Sequence, residues 1–228
     1  FIQGVTGTSA TKSGAVITPM MFAMILSSVS AGQIMTRTER YKVLAVIGVS
    51  IATVGMFLLA SMNVDTTYTR IVLDMIVLGV GLGATMPVFN LAVQNAVDIR
   101  QVGVATSSLQ FLRSMGGAIG AAVFGAILSN RFSPALHESL PADAATRFPA
   151  QMLAQLENPQ LLMNPQLAEK LRATPGMDVA FAALKQALAS SLHDVFLVAA
   201  IVIALGVIAS AFIKDLPLRK SNRIAPVE

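Results

Sequence analysis

Long apolar stretches with few or no charges dominate the pattern of hydrophobic and polar positions along the chain. Each stretch exceeds the roughly 20 residues that a helix rising about 1.5 Å per residue needs to cross a hydrocarbon core of about 30 Å. None alternates with the period of two that is typical of barrel strands. The pattern therefore predicts membrane helices at 13–36, 43–64, 69–97, 103–131 and 193–213.

The segments between these predicted spans are short, with one exception. The exception is 132–192, where Pro, Asn, Gln and scattered charge predict a long, partly helical loop outside the membrane. The chain opens with Phe rather than Met, so we expect a fragment whose residues 1–12 are the end of a preceding membrane helix and a turn. The remaining connections are 37–42, 65–68 and 98–102, and the tail is 214–228.

The basic residues of the short segments alternate in number from one predicted side to the other. The richer side carries Arg37, Arg40, Lys42, Arg100, Lys214, Arg219, Lys220 and Arg223, whereas the short ends opposite carry Lys12, Arg70 and Arg131. Cytoplasmic loops are enriched in Lys and Arg. We therefore expect 37–42, 98–102 and the C-terminal tail to be cytoplasmic, and 65–68 and 132–192 to be external.

Composition supports this picture. The chain is 54% hydrophobic and 12% charged with a mean hydropathy of +0.69, which is too apolar for a water-soluble domain. Cysteine is absent, which excludes disulfides and thiolate sites. The basic residues form no single face, so we expect no nucleic-acid partner. No short hydrolase, zinc-protease or nucleotide-binding motif occurs, and we expect neither an enzyme nor a cofactor or metal site.

Away from the ends of the predicted spans there are two ionisable residues, Arg113 and Asp74. Charge inside a membrane is costly and normally faces a cavity or a partner. Arg113 shares a helical face with Thr106, Gln110 and Gly117, because side chains three or four positions apart are neighbours. This polar face suits an anion, a carboxylate or a coupled proton site. A buried arginine that bonds helix carbonyls or an acidic residue of another helix is an equal alternative.

Asp74 lies one turn after Arg70, near the predicted external surface. An ion pair between the two at the membrane boundary is the simpler interpretation. The alternative is a carboxyl group that gains and loses a proton during transport, since desolvation favours the neutral acid.

Amides and small residues complete the set of candidates. Asn90 and Gln94 are four apart and face one way, beyond a stretch that contains Gly79, Gly81, Gly83 and Pro87, and Gln3 is one further amide. Glycine and proline in a membrane helix suit either bending or close packing. Two interleaved rows of small residues predict helix packing in the fourth span, and their glycines are Gly116, Gly117, Gly120 and Gly125.

Four stretches together resemble a known family. They are FIQGVTGTSATKSG, GQIMTRTERYK, GVGLGATMPVFNLAVQNAV and GVATSSLQFLRSMGGAIGAAVFGAIL. They resemble the C-terminal half of major facilitator superfamily multidrug exporters, most closely the fourteen-helix drug/proton antiporters of the EmrB/QacA-like group. The resemblance covers 1–132 well and 195–213 loosely.

The loop GQIMTRTERYK resembles a degenerate copy of the superfamily's cytoplasmic signature. Gly32, Arg37 and Arg40 match it, whereas Thr36 replaces the aspartate and Glu39 the second glycine. In the family this loop is a charged latch between helices. Loss of the aspartate puts that latch in doubt in this half.

The resemblance implies an all-α, polytopic bundle that forms the C-terminal six-helix half of a major facilitator fold, with its first helix truncated. It also implies a multi-pass protein of the cell membrane that exports lipophilic or cationic, amphipathic small molecules in exchange for protons by alternating access. A missing N-terminal half would complete the cavity. Two alternatives remain: a facilitator-type carrier of a metabolite, peptide or siderophore, and a non-transporting module for assembly or sensing.

Overall fold

The computed structural model describes residues 10–38, 40–140, 156 and 178–214, and within them it consists of helices and short connections. A 3₁₀ turn at Ile99–Gln101 precedes the fourth helix. The five long helices are all apolar and long enough to cross a membrane. They are α1 (Ala10–Thr38), α2 (Tyr41–Ala60), α3 (Tyr68–Ala96), α4 (Val102–Ser139) and α5 (Asp178–Ala211). The prediction of an all-α bundle of membrane helices is confirmed for this part of the chain.

Two helices continue well into the segment between the last two predicted spans. The hydrophobic pattern ended one span at 131 and began the next at 193, whereas α4 runs to Ser139 and α5 already begins at Asp178. The reason is a buried cluster in which Phe132 and Leu136 of α4 lie with Phe181 and Leu184 of α5. With 38 residues, α4 is about 57 Å long, so it exceeds the hydrocarbon thickness.

The helices pack in the spatial order α1, α3, α2, α5, α4. Close approaches of glycines show whether neighbouring helices run parallel or antiparallel. Gly55 and Gly81 approach Leu78 and Ala52 across α2 and α3, an antiparallel register. By contrast, α1 and α3 are parallel, since Gly79 approaches Met20 and Gly83 approaches Met24. The neighbouring helices α2 and α5, and α4 and α5, are antiparallel.

Glycine allows α3 to lie very close to both of its neighbours. A Cβ atom on Gly83 would stand 2.2 Å from the carbonyl oxygen of Met24 in α1, and one on Gly81 would stand 2.2 Å from the backbone nitrogen of Ala52 in α2. Ser27 of α1 also donates a hydrogen bond to the Val80 carbonyl of α3 at 2.6 Å. Small residues and interhelical hydrogen bonds are typical of helix contacts in membranes, where burial of apolar surface supplies little driving force.

Polar contacts join the helix ends at two places. The hydroxyl of Tyr41, where α2 begins, donates to the carbonyl of Lys214 at 2.8 Å. Where α2 ends, Nδ1 of His193 lies 2.5 Å from the carbonyl oxygen of Ala60, and Arg131 pairs with Asp194 at 3.1 Å. We call these the Tyr41 end and the Ala60 end of the bundle.

The middle of α4 stands apart from the rest of the chain. No residue is buried in the most apolar stretch of the segment Ile99–Ser139. The buried residues of α4 are Phe132 and Leu136, near its C-terminus, and few contacts join its first turns to α3. This helix is therefore held near its two ends and exposed between them.

Candidate functional site

A polar row joins the last turns of α3 to the first turns of α4, at the Tyr41 end. Nε2 of Gln94 donates to Oγ1 of Thr106 at 3.4 Å. Because the two helices are antiparallel and rise equally per residue, this contact sets their register. Asn90 therefore lies at the level of Gln110, and Pro87 at the level of Arg113. Four of the candidate residues thus follow one another on the faces of α3 and α4 that meet at this contact: Gln94, Asn90, Gln110 and Arg113.

Arg113 is the only charged residue in the α4 part of this row. It lies 11 positions after the first residue of α4, which is about 16 Å along the helix and close to the middle of a hydrocarbon core. Its side chain is partly exposed, and no carboxylate of the described residues forms an ion pair with it. A cation at this depth needs an anionic or hydrogen-bonding partner.

Pro87 adds a backbone acceptor at the same level. It lies inside α3, and proline has no N–H to donate to the carbonyl four residues earlier. The Gly83 carbonyl therefore lacks its usual helical donor. An unpaired carbonyl in an apolar environment is costly, so such positions are normally found beside another helix or a polar cavity.

Asp74 lies far from this row. Twenty positions separate it from Gln94, which corresponds to about 30 Å along α3. Its side chain is 7% exposed, and Oδ2 has no hydrogen-bond partner among the described residues. The structure places Nε of Arg70 at 3.8 Å from Oδ2, while Nη2 of Arg70 donates to Ser61. The predicted pair is therefore present but long, and the guanidinium group is shared.

The remaining candidate residues belong neither to the polar row nor to the surroundings of Asp74. Gln3 lies outside the described residues. Gly32 and Arg37 belong to the last turns of α1, and Arg40 is the N-cap of α2, so the predicted loop is mostly helical. A Cβ on Gly32 would meet nothing within 4 Å, which shows that this glycine is not needed for packing within the described chain.

Within the described residues, no helix lies against the glycine row of α4. Cβ atoms on Gly116, Gly117 and Gly125 would meet nothing within 4 Å, and one on Gly120 would meet only Phe124 of the same helix. The prediction that this row packs against a helix therefore remains a prediction.

Sequence reasoning missed several contacts. Gly48 and Gly55 of α2 pack closely on α3, and their spacing of seven is a signal that could have been used. The contacts of Tyr41 with Lys214 and of His193 with Ala60 join residues more than 130 positions apart. No local pattern in the sequence predicts such pairs.

Residues 1–121 match the model of the Major Facilitator Superfamily. The chain belongs to the Major Facilitator Superfamily. Members of this superfamily are membrane transporters, and together with the five apolar helices the match shows that this chain is a multi-pass membrane protein.

Several relatives within the superfamily carry names. The multidrug transporter protein MdtP of Bacillus subtilis is 34% identical over 237 residues, which covers 99% of this chain and 43% of that protein. The MFS-type transporter Rv1877 of Mycobacterium tuberculosis is 33% identical over 96% of this chain and 29% of its own length. Multidrug resistance protein 3 of Bacillus subtilis is 33% identical over a stretch that covers 61% of this chain and 27% of that protein. The chain thus spans less than half the length of each relative.

Proposed function

We propose that this chain is the C-terminal half of a fourteen-helix multidrug exporter of the cell membrane. The exporter would move lipophilic or cationic, amphipathic small molecules outward by alternating access, in exchange for protons. The single observation that carries this proposal is the row of polar side chains from Gln94 and Thr106 to Arg113, beside the proline of α3. The α4 part of this row lies on a helix whose middle is exposed within the described part of the chain.

The relatives support the drug-export part of the proposal. MdtP is named a multidrug transporter and matches 99% of this chain, and a second relative is named a multidrug resistance protein. Their greater length agrees with a missing N-terminal half. That half would cover α4, whose exposed apolar side chains include Phe111, Leu112 and Ile119. The glycine row would then allow close approach of a helix from that half.

Orientation follows from the basic residues. We infer that the Tyr41 end, with Arg37, Arg40, Lys42 and Lys214, faces the cytoplasm. The Ala60 end and the extended hairpin of α4 and α5 would then be external. In this orientation the row of Gln94, Asn90, Gln110 and Arg113 runs from the cytoplasmic surface towards the middle of the membrane, as expected for a path that takes up substrate from inside.

Proton coupling is assigned to Asp74. In the proposed orientation this carboxyl group lies near the external surface, where protons enter an exporter. Its side chain is 7% exposed, its Oδ2 accepts no hydrogen bond from the described residues, and its contact with Arg70 is long and shared with Ser61. A carboxyl group held in this way is well suited to gain and lose a proton as the external side opens and closes.

The experiment that tests the proposal measures drug-triggered proton movement. Inverted membrane vesicles carrying the whole transporter that contains this chain are energised, and a panel of lipophilic cations and organic anions is added in turn. We expect cations to release the proton gradient and to be taken up against their own gradient. If no member of the panel moves protons or accumulates, the assignment as a drug antiporter is wrong.

Replacement of Asp74 by asparagine tests the coupling site. Asparagine keeps the size of the protonated acid but cannot exchange a proton, so we expect gradient-driven drug accumulation to fall at least about tenfold while downhill drug movement continues. Asp98→Asn is the matched control, because Asp98 is exposed and caps a 3₁₀ turn through an oxygen that asparagine also provides. Accumulation at the wild-type level in Asp74→Asn would exclude Asp74 from coupling.

A second candidate function follows from Arg113. A partly exposed cation near mid-membrane, without a carboxylate partner among the described residues, could hold the anionic group of a metabolite, peptide or siderophore. In the same vesicles, uptake that carboxylate solutes compete for and lipophilic cations do not would favour this carrier over the exporter.

A further inference from the structure

Arg70 contacts two different groups at the Ala60 end of the bundle. Its Nε lies 3.8 Å from Oδ2 of Asp74, one turn further along α3, and its Nη2 donates to Oγ of Ser61 at 2.9 Å. Ser61 is the C-cap of α2 and donates in turn to the carbonyl of Leu58 at 2.7 Å. The arginine therefore lies between a buried carboxyl group and the C-terminal end of a neighbouring helix.

The two nitrogens that make these contacts form one edge of the planar guanidinium group. A carboxylate that accepts from both nitrogens of such an edge forms a bidentate pair, with N–O distances of about 2.8 Å. In the structure the edge is divided instead, because Nε is beyond hydrogen-bond distance of Asp74 and Nη2 is bound to Ser61. A displacement of Arg70 by about 1 Å separates this arrangement from the bidentate pair.

Of the three side chains, that of Arg70 has the most freedom to move. It is 51% exposed, whereas the side chain of Asp74 is 7% exposed. Ser61 belongs to the end of α2, and the turn after it is closed by a hydrogen bond from the backbone nitrogen of Asn63 to Oγ1 of Thr66 at 2.8 Å. A change of charge at Asp74 would therefore move the arginine and leave its two partners in place.

The charge of Asp74 decides which partner holds the arginine. A buried carboxylate is costly unless it is paired and hydrogen-bonded, so ionised Asp74 would draw both nitrogens of the edge to itself. A protonated carboxyl group has no net charge and leaves Nη2 to Ser61, close to the C-terminal end of α2, where the helix dipole favours a cation. The structure agrees with the protonated case, since Oδ2 has no hydrogen-bond partner among the described residues.

We propose that Arg70 is a positioning residue that relays the protonation state of Asp74 to the C-terminal end of α2. When Asp74 binds a proton, Arg70 bonds Ser61 and joins α3 to the end of α2. When Asp74 loses the proton, Arg70 pairs with it and releases Ser61. The relay rests on the proposed assignment of proton coupling to Asp74, and it adds the contact between helices that the proton changes. Such a two-state contact is what allows a bound ion to bias a conformational equilibrium.

The experiment measures transport of tetraphenylphosphonium, a lipophilic cation, in inverted vesicles that carry the whole transporter containing this chain. Ser61→Ala removes the second partner of Arg70 and leaves every charge in place. We expect gradient-driven accumulation to fall about fivefold, as for loss of a hydrogen bond to a charged group at a partly exposed site, while downhill movement stays within about twofold. Ser61→Thr restores the hydroxyl group and should restore most of the accumulation.

A double substitution separates a relay from a contact that only stabilises the fold. If Ser61 acts through Arg70 on Asp74, Ser61→Ala should cause no further loss of accumulation in the Asp74→Asn variant. A purely structural contact would lower downhill movement as well, and equally in both backgrounds. Ser210→Ala is the matched control, because its hydroxyl also donates to a carbonyl of its own helix, that of Gly206, at 2.7 Å. This control should accumulate the cation at the wild-type level.

The outcomes distinguish failure of the relay from failure of the proposed function. Wild-type accumulation by Asp74→Asn, or none by the wild type, would remove the coupling assignment and the relay with it. Loss of accumulation in Asp74→Asn together with wild-type accumulation in Ser61→Ala would keep the coupling site and overturn the relay. An equal loss from Ser61→Ala in both backgrounds would overturn it too. Folding is checked by gel filtration, and Ser61→Gly, which suits a helix C-terminus, replaces Ser61→Ala if that variant does not fold.

Discussion

Replacing Gly83 by alanine is expected to destabilise the transporter by about 3 kcal/mol, the upper part of the range for overpacked cores. The added methyl group would stand 2.2 Å from the Met24 carbonyl oxygen and 2.8 Å from the Met24 Cα. Both are backbone atoms of α1, so no side-chain rotation relieves the contact. The helices α1 and α3 would have to separate by about 1 Å, which would also weaken their other contacts.

The measurement is thermal unfolding in detergent, followed by fluorescence-detected gel filtration of a fusion to a fluorescent protein. Gly206→Ala is the matched control, because its methyl group would meet only a side-chain carbon of Val49 at 3.5 Å. Alanine also favours the helix there, so this control should be neutral or slightly stabilised. Equal unfolding temperatures for Gly83→Ala and Gly206→Ala would contradict the close approach of α1 and α3.

Replacing Arg113 by glutamine is expected to lower drug transport about 100-fold without loss of folded protein. A cation near the middle of the membrane costs a few kcal/mol by insertion scales, and the structure shows no compensating ion pair among the described residues. Glutamine removes this cost, so the amount of folded protein should be unchanged or higher. Transport should fall because Arg113 is the charged group near mid-membrane that would pair with an anionic substrate group or with a carboxylate of the missing half.

Drug uptake into inverted vesicles is compared at equal expression with that of two further variants. Arg113→Lys keeps the charge but loses the planar guanidinium, and we expect intermediate activity. Arg131→Gln removes an exposed cation whose ion pair with Asp194 contributes little, so uptake should stay within about twofold of the wild type. Wild-type uptake by Arg113→Gln would exclude Arg113 from the transport path.

Much of the candidate site was accessible from the sequence. Asn90 and Gln94 share a face of α3, and Gln110 and Arg113 belong to one polar face of α4, because helical spacing alone puts them there. Their juxtaposition across the two helices depends on the antiparallel register that the contact of Gln94 with Thr106 reveals. No pattern within one helix contains that register.

The glycines also show a difference between what the sequence predicts and what the structure decides. The sequence leaves either bending or close packing open for the glycines of α3, and it predicts helix packing for the small residues of α4. In the structure Gly79 and Gly83 press against α1, whereas Gly116 and Gly117 face open space. Local sequence indicates that a helix can be approached closely, but which helix approaches it depends on partners, including those outside this chain.

The sequence by itself determined the class of structure, because a backbone in lipid must satisfy its own hydrogen bonds and long apolar runs therefore become helices. It also determined which polar and charged residues lie within those helices. Only the tertiary structure decided that Asp74 is buried, that the middle of α4 is exposed, and that Tyr41 joins Lys214. These features depend on contacts between segments far apart in the chain, which helical periodicity does not encode.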